Sequence, residues 1–197
     1  MRDQIGYARL TRRALLGTLA SAILVMQAPT TLAALAAPRT IDPRDIALTP
    51  ADLPPGFTVD QANSGMAPLP DSAGTMLRVD MKRARTQQAF AEGPIIVQQT
   101  IVRIDDATPA ETVLASIRDE LIADVQMSPT TDGPNDGGTI SLKRTDGEVT
   151  MYAVGFVKEP MVIVTLWAGA APVTTFPKLI ELAGITSARL DAVLAQP

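Results

Sequence analysis

TISLKRTDGEVTMYAVGFVKEPMVIVTLWA, residues 139–168, decides the fold. Three β-rich runs follow one another with almost nothing between them: Thr139 to Arg144, Glu148 to Lys158 and Met161 to Ala168. Asp146-Gly147 suits the first turn, because both residues tolerate positive φ. The second turn, around Lys158-Glu159-Pro160, has no glycine. Connections this short force antiparallel pairing, since a parallel crossover needs a dozen residues or more. Val154, Phe156, Val162, Ile163, Val164 and Leu166 with few charges place the last two strands mid-sheet.

Working towards the N-terminus, a turn-rich stretch from Ser128 to Gly138 precedes these strands. Before it comes a helix. Thr108 offers a cap, Pro109 fits the first helical position, and Glu111 completes a capping box. Val113, Leu114, Ile117, Leu121, Ile122 and Val125 recur at helical spacing, with Arg118, Asp119, Glu120 and Asp124 largely on the other side. Its end is expected near Met127, before Pro129. Earlier still, Pro94 to Ile104 is rich in β-branched residues. In Met76 to Arg85, Leu77, Val79 and Met81 alternate with Arg78, Asp80 and Lys82, as in a half-buried strand. Thr86 to Gly93 reads as a polar connection and Ser64 to Gly74 as a loop. A short first strand is expected near Phe57 to Asn63, after a single helical turn at Thr49-Pro50-Ala51-Asp52.

Towards the C-terminus, Thr174 to Ala195 forms a last helix on Phe176, Leu179, Ile180, Leu182, Ile185, Leu190 and Val193, with Gly184 as a point of break or bend. The order is βββ-α-βββ-α. It predicts an α+β domain over residues 49–197, with one antiparallel sheet of about six strands and helices packed on one face. Residues 37–48, rich in proline and charge, read as a flexible segment outside it.

Residues 1–36 read as an export signal. Arg2, Arg9, Arg12 and Arg13 make a positive start, and Ala14 to Met26 form an apolar run too short for a membrane span of about 20 residues. Ala34 and Ala36 suit cleavage after Ala36. Thr11-Arg12-Arg13-Ala14-Leu15-Leu16-Gly17 resembles the twin-arginine motif, with Leu15 and Leu16 in its apolar positions and Gly17 where lysine is usual. The export machinery is thus an expected partner, and the expected location is the envelope, periplasm or exterior. A membrane contact arises only if the signal is kept as an anchor.

The chain carries 17 basic and 21 acidic residues. Without the four arginines and one aspartate of the signal, 13 and 20 remain, about −7, a sign that disfavours nucleic acid as a partner. With neither Cys nor His, disulfides, thiol chemistry, imidazole ligands and Ser-His-Asp catalysis are excluded. No cofactor is expected.

Several residues remain as candidates. Asp132, Asp136 and Gly137 match positions 1, 5 and 6 of a calcium loop. Pro134 and Lys143 occupy its third and twelfth positions, where ligands belong, so a flexible loop is the simpler reading. Asp105, Asp106 and Glu111 could serve acid–base catalysis or bind a hard cation, and the simpler reading is that they favour the positive end of a helix dipole. Arg78, Lys82, Arg83 and Arg85 form the one basic concentration after the signal; the face could hold an anionic ligand, and a solvated sheet face is the simpler reading. Trp167 and Tyr152 are the ligand-pocket candidates, weighed against core positions. Methionines in strands read as core filler.

Leu53-Pro54-Pro55-Gly56-Phe57, the helix between two sets of strands, Trp167-Ala168-Gly169 and a closing helix near Arg189-Leu190 together make residues 49–194 resemble exported bacterial PsbP-like domains and the extracellular sensor domains of some actinobacterial kinases. This resemblance implies a fold and no site residues. The functional expectation is a non-catalytic exported module that binds a ligand or an envelope protein. A carboxylate-based hydrolase is the alternative.

Overall fold

The computed structural model describes residues 41–68, 74–83, 95–105, 107–170 and 174–196. The signal residues Arg12, Arg13, Leu15, Leu16, Ala34 and Ala36 lie outside this set, as do Arg85 and Asp106.

Among the described residues eight strands form one sheet: β1 (Phe57–Val59), β2 (Gly65–Pro68), β3 (Gly74–Arg83), β4 (Ile96–Ile104), β5 (Ser128–Pro129), β6 (Thr139–Asp146), β7 (Val149–Lys158) and β8 (Met161–Ala170). Among the described residues three α-helices accompany them: α1 (Pro43–Ile46), α2 (Ala110–Ala123) and α3 (Phe176–Leu194). The α+β class and the antiparallel sheet hold. The strand count does not: β2 and β5 fall in stretches expected to be loops, giving eight strands in place of six. The spatial order is β1-β3-β4-β8-β7-β6-β5, with β2 also on β3. Both predicted hairpins are present, with Gly147 at φ 59 in the first and a cis Glu159–Pro160 bond in the second. The join between β4 and β8, from Ile96↔Ala168 to Arg103↔Met161, unites the two halves of the chain.

The helices lie on opposite faces, not on one as expected. Strand parity decides this. On β8, Val162, Val164 and Ala168 share a core with Leu114, Leu121 and Val125 of and just beyond α2. Trp167 packs with Leu179, Leu182 and Ala183 of α3, while Met161 and Ile163 meet Leu190 of α3 and Ile46 of α1. Met161 to Ala168 lacks alternation because it is covered on both sides, a pattern usual for strands buried between layers. The result is helix, sheet, helix. Close approach makes α2 fit: a Cβ on Gly155 would stand 2.9 Å from both Leu114 Cδ1 and Ile140 Cγ1.

The packed region begins at Ile41, eight residues before the expected boundary. Ile41, Ile46, Ala47 and Leu48 are buried. Asp42 caps α1 through Arg44 N–H at 2.9 Å. The expected turn after it is present at Pro50–Asp52, with Thr49 N–H and Oγ1 donating to Asp52 Oδ2 at 2.7 and 2.9 Å. Arg189 of α3 fastens the segment, donating to Ala47 O at 2.6 Å and to Asp52 Oδ1 at 2.7 Å. Beneath it Gln99 is fully buried. Its Oε1 accepts from Leu48 N–H at 2.8 Å, and its Nε2 donates to Thr186 Oγ1 at 2.8 Å and Thr165 Oγ1 at 3.3 Å.

The helices are shorter than their sequence patterns. α2 starts after Pro109, and no side chain caps it through its N-cap residue. It stops at Ala123 because Gln126 takes φ 58 and turns the chain, with Met127 N–H donating to Leu121 O at 3.1 Å. α3 runs through Gly184 without a break. Among the described residues, no helix is long and apolar enough to cross a membrane.

Candidate ligand cleft

α2 packs over β6, β7 and β8, and among the described residues no helix lies above the β3–β4 part of that face. A cleft of about 490 Å³ occupies this space. Cross-strand register builds its floor in rows: Met151–Ala168–Ile96–Lys82, then Leu166–Gln98–Asp80, then Thr100–Arg78. Leu121 and Val125 make one wall and residues 62–67, leading into and through β2, the other.

Both walls are held in place by polar contacts. Asp60, beside the second wall, pairs with Lys82 at 2.7 Å and accepts from Asn63 Nδ2 at 2.8 Å. Lys82, and then Asn63, thereby hold the Asp60 carboxyl below its ordinary range. Ser64 Oγ accepts from Asp80 N–H at 2.9 Å, which ties this wall to β3. Across the cleft, Arg144 Nη1 donates to Val125 O at 2.6 Å and steadies the chain beyond α2. Cations near the last carbonyls of a helix also suit its dipole.

The floor is charge-balanced. Arg78 Nε and Nη2 donate to Asp80 Oδ1 and Oδ2 at 3.0 and 2.9 Å, and Nη2 also reaches Gln98 Oε1 at 3.3 Å. A bidentate pair of this kind fixes both side chains. Met66, Met76 and Met151 give the remainder a soft, adaptable apolar surface.

Glu120 stands beside the wall residue Leu121. It is half-buried, its Oε1 is sealed from solvent, and that oxygen has no hydrogen-bond partner among the described residues. Burial pushes its carboxyl up to about 7, with Asp124 one turn further along adding to the rise and Arg78 opposing it. The helical pattern put Glu120 on the outer side of α2, and the structure corrects that. A carboxyl raised in this way is more stable protonated in the folded chain. Its stabilising effect is therefore complete below its ordinary value near 4.5 and disappears as pH rises through about 7. Relative to the parent, Glu120→Gln is expected to gain about 1 kcal/mol more at pH 8 than at pH 4.5, a figure reduced for partial solvent screening. Urea melts of both proteins at the two pH values check this; an equal difference at both would contradict it.

The residues singled out in the sequence fall elsewhere, except for part of the basic group. Arg78 and Lys82 line the cleft in place of a freely solvated face, and Arg83 belongs to the opposite side parity of β3. Trp167 is 1% exposed and lies in the α3-side core, so it lines no part of the cleft. Tyr152 shares that side, with its ring 5.7 Å from Phe176 and Lys143 Nζ 5.2 Å from its centroid. Trp167 thus sits in the α3-side core and Tyr152 packs half-buried against it, and neither lines this cleft. Asp136 spends its carboxylate on its own turn, accepting from Gly138 N–H at 2.9 Å and Thr139 Oγ1 at 2.8 Å. Asn135 ties the same loop to Thr130 O and Ser141 N–H, at 2.8 and 2.7 Å. Asp132 and Gly137 are exposed there. Asp105 is engaged by Arg103 at 2.7 and 2.9 Å, and Glu111 is exposed in the first turn of α2.

Sequence reasoning missed the cleft because its lining comes from six separate stretches. Two signals were available. Gln98 interrupts an apolar strand, and Glu120 and Asp124 place like charges four residues apart on one helix, an arrangement with a cost unless something offsets it. The chain matches no protein-family model, and no curated protein is significantly similar to it.

Proposed function

We propose that this chain is an exported, non-catalytic binding module that holds a small apolar ligand in the cleft between β3–β4, β2 and the end of α2. The observation that carries this reading is the cleft itself: about 490 Å³, with an apolar lining crossed by one polar strip. Sites for small molecules have this composition, in which apolar surface supplies affinity and a few polar groups fix orientation. Export rests on the signal-like residues 1–36. The hydrolase alternative has less behind it. Two acidic side chains line the cleft, and each is engaged by a cation, Asp60 by Lys82 and Asp80 by Arg78.

N-phenyl-1-naphthylamine, an uncharged fluorescent apolar probe, tests the reading. Its emission should rise on titration and saturate at one probe per chain. Thr100→Trp, which fills the floor, and Ala67→Trp, which fills the wall, should each weaken binding at least about tenfold, a loss of roughly 1.4 kcal/mol. Absence of saturable binding, or binding that both variants leave unchanged in a folded protein, would overturn it.

A further inference from the structure

We propose that the ligand of this cleft is an uncharged amphiphile with a carbonyl group in its head. The carbonyl oxygen accepts the spare hydrogens of Arg78, Gln98 and Thr100, while the apolar chain lies along Met66, Met76 and Met151. That assignment depends on the cleft being a ligand site and adds the chemistry of what it holds. Charge comes first. The lining cations are Arg78 and Lys82, the lining acids Asp80 and Asp60, and each cation meets an acid, at 2.9 and 2.7 Å. The lining is therefore neutral as a whole. A ligand with a net charge would give up its hydration for a site with no counter-charge to spare.

Hydrogen-bond donors, in contrast, are left over. Arg78 uses Nε and Nη2, on Asp80 and on Gln98 Oε1, and its Nη1 has no partner among the described residues. Arg78 is also the more open member of its ion pair, 25% exposed in its side chain against 12% for Asp80. A guanidinium only donates, so Arg78 fixes the Gln98 amide with its oxygen towards β3 and leaves Nε2 to donate elsewhere. No described residue accepts from that Nε2. Thr100, two positions along β4 and so on the same face, adds a hydroxyl that no described residue engages. Gln98 stands opposite Asp80 and Thr100 opposite Arg78, which brings the three donors into two adjoining rows of the floor. Both β4 side chains line the cleft and are only partly buried, so a molecule in the cleft reaches them directly. A carbonyl oxygen answers this arrangement, because it accepts two hydrogen bonds and brings no charge.

Displacement of N-phenyl-1-naphthylamine from the full chain by 2-decanone, decanoate and decylamine separates the outcomes, since the three differ in their heads and share a ten-carbon length. At pH 8, where the acid and the amine are both ionised, 2-decanone should compete about tenfold more tightly than either ion. Gln98→Leu and Thr100→Val each remove one donor. In each, the ratio of ketone affinity to probe affinity should fall about fivefold, the worth of one net hydrogen bond. Thr100→Val keeps the shape of the side chain, so it decides the matter alone if Gln98→Leu fails to fold. A bound probe that 2-decanone does not displace, an ion that competes as well as the ketone, or a ratio that no folded variant lowers would each overturn the assignment. All three leave the ligand-site reading standing. If the probe itself shows no saturable binding, the ligand-site reading fails, and this one with it.

Discussion

Trp167→Ala is expected to destabilise the domain by about 4 kcal/mol, the range found when a buried aromatic is cut to a methyl group. The ring is almost wholly enclosed by Met81, Val97 and Val154 from the sheet and by Leu179, Leu182 and Ala183 from α3. Its removal leaves a cavity between two rigid layers, and neither sheet nor helix can collapse into it cheaply. The conservative change should behave very differently. Trp167 Nε1 is buried without a hydrogen-bond partner among the described residues, so the indole already bears a desolvation cost. Trp167→Phe removes that donor and keeps most of the apolar contact, and a loss under about 1.5 kcal/mol is expected. Urea unfolding followed by far-ultraviolet circular dichroism reads both. A stable Trp167→Ala protein that has lost ligand binding would return this residue to the pocket role considered from the sequence.

Gln99→Leu is the second large effect, expected at about 3 kcal/mol. The amide sits between three layers and serves each: the Leu48 N–H of the N-terminal segment, Thr165 of β8 and Thr186 of α3. Leucine matches the volume and leaves a buried backbone donor without an acceptor, which costs more than the lost bond alone. The consequence is also local. Residues 41–48 should become sensitive to limited proteolysis in the variant while the sheet stays resistant. A double-mutant cycle with Thr186→Val should show coupling, because the two side chains share one hydrogen bond. A loss below about 0.5 kcal/mol, typical of exposed surface positions, would remove Gln99 from this role.

These two residues mark what was legible in the sequence. The β-rich runs of 139–168 and their two turns are local properties, so their pairing could be read directly. Layering could not. The unbroken apolar run Met161 to Ala168 signals burial on both faces, yet it says nothing about which helix covers which side. That depends on β8 pairing with β4, a partner about seventy positions earlier in the chain. The same distance hides the roles of Gln98 and Gln99. Neighbours in sequence, they point to opposite faces, one into the cleft and one into the buried network. The short strand β2 escaped notice because Gly65–Pro68 has no strand-like composition and is ordered by pairing with β3. Glu120 escaped because helical periodicity ranks residues by distance from one apolar stripe, whereas the open half of the sheet exposes the flank of α2 as well.

The clamp between Arg189 and the Ala47–Asp52 segment spans nearly the whole described chain. Its first packed residues have no resting place until α3 has been made, and the central seam waits for β8. A ribosome-bound fragment ending before residue 161 therefore lacks both closures and leaves the early half an unfinished sheet, and one ending before Arg189 still lacks the clamp. Any exporter that accepts only folded passengers would thus be proofreading for a chain translated through its last helix, without reading a single residue of it.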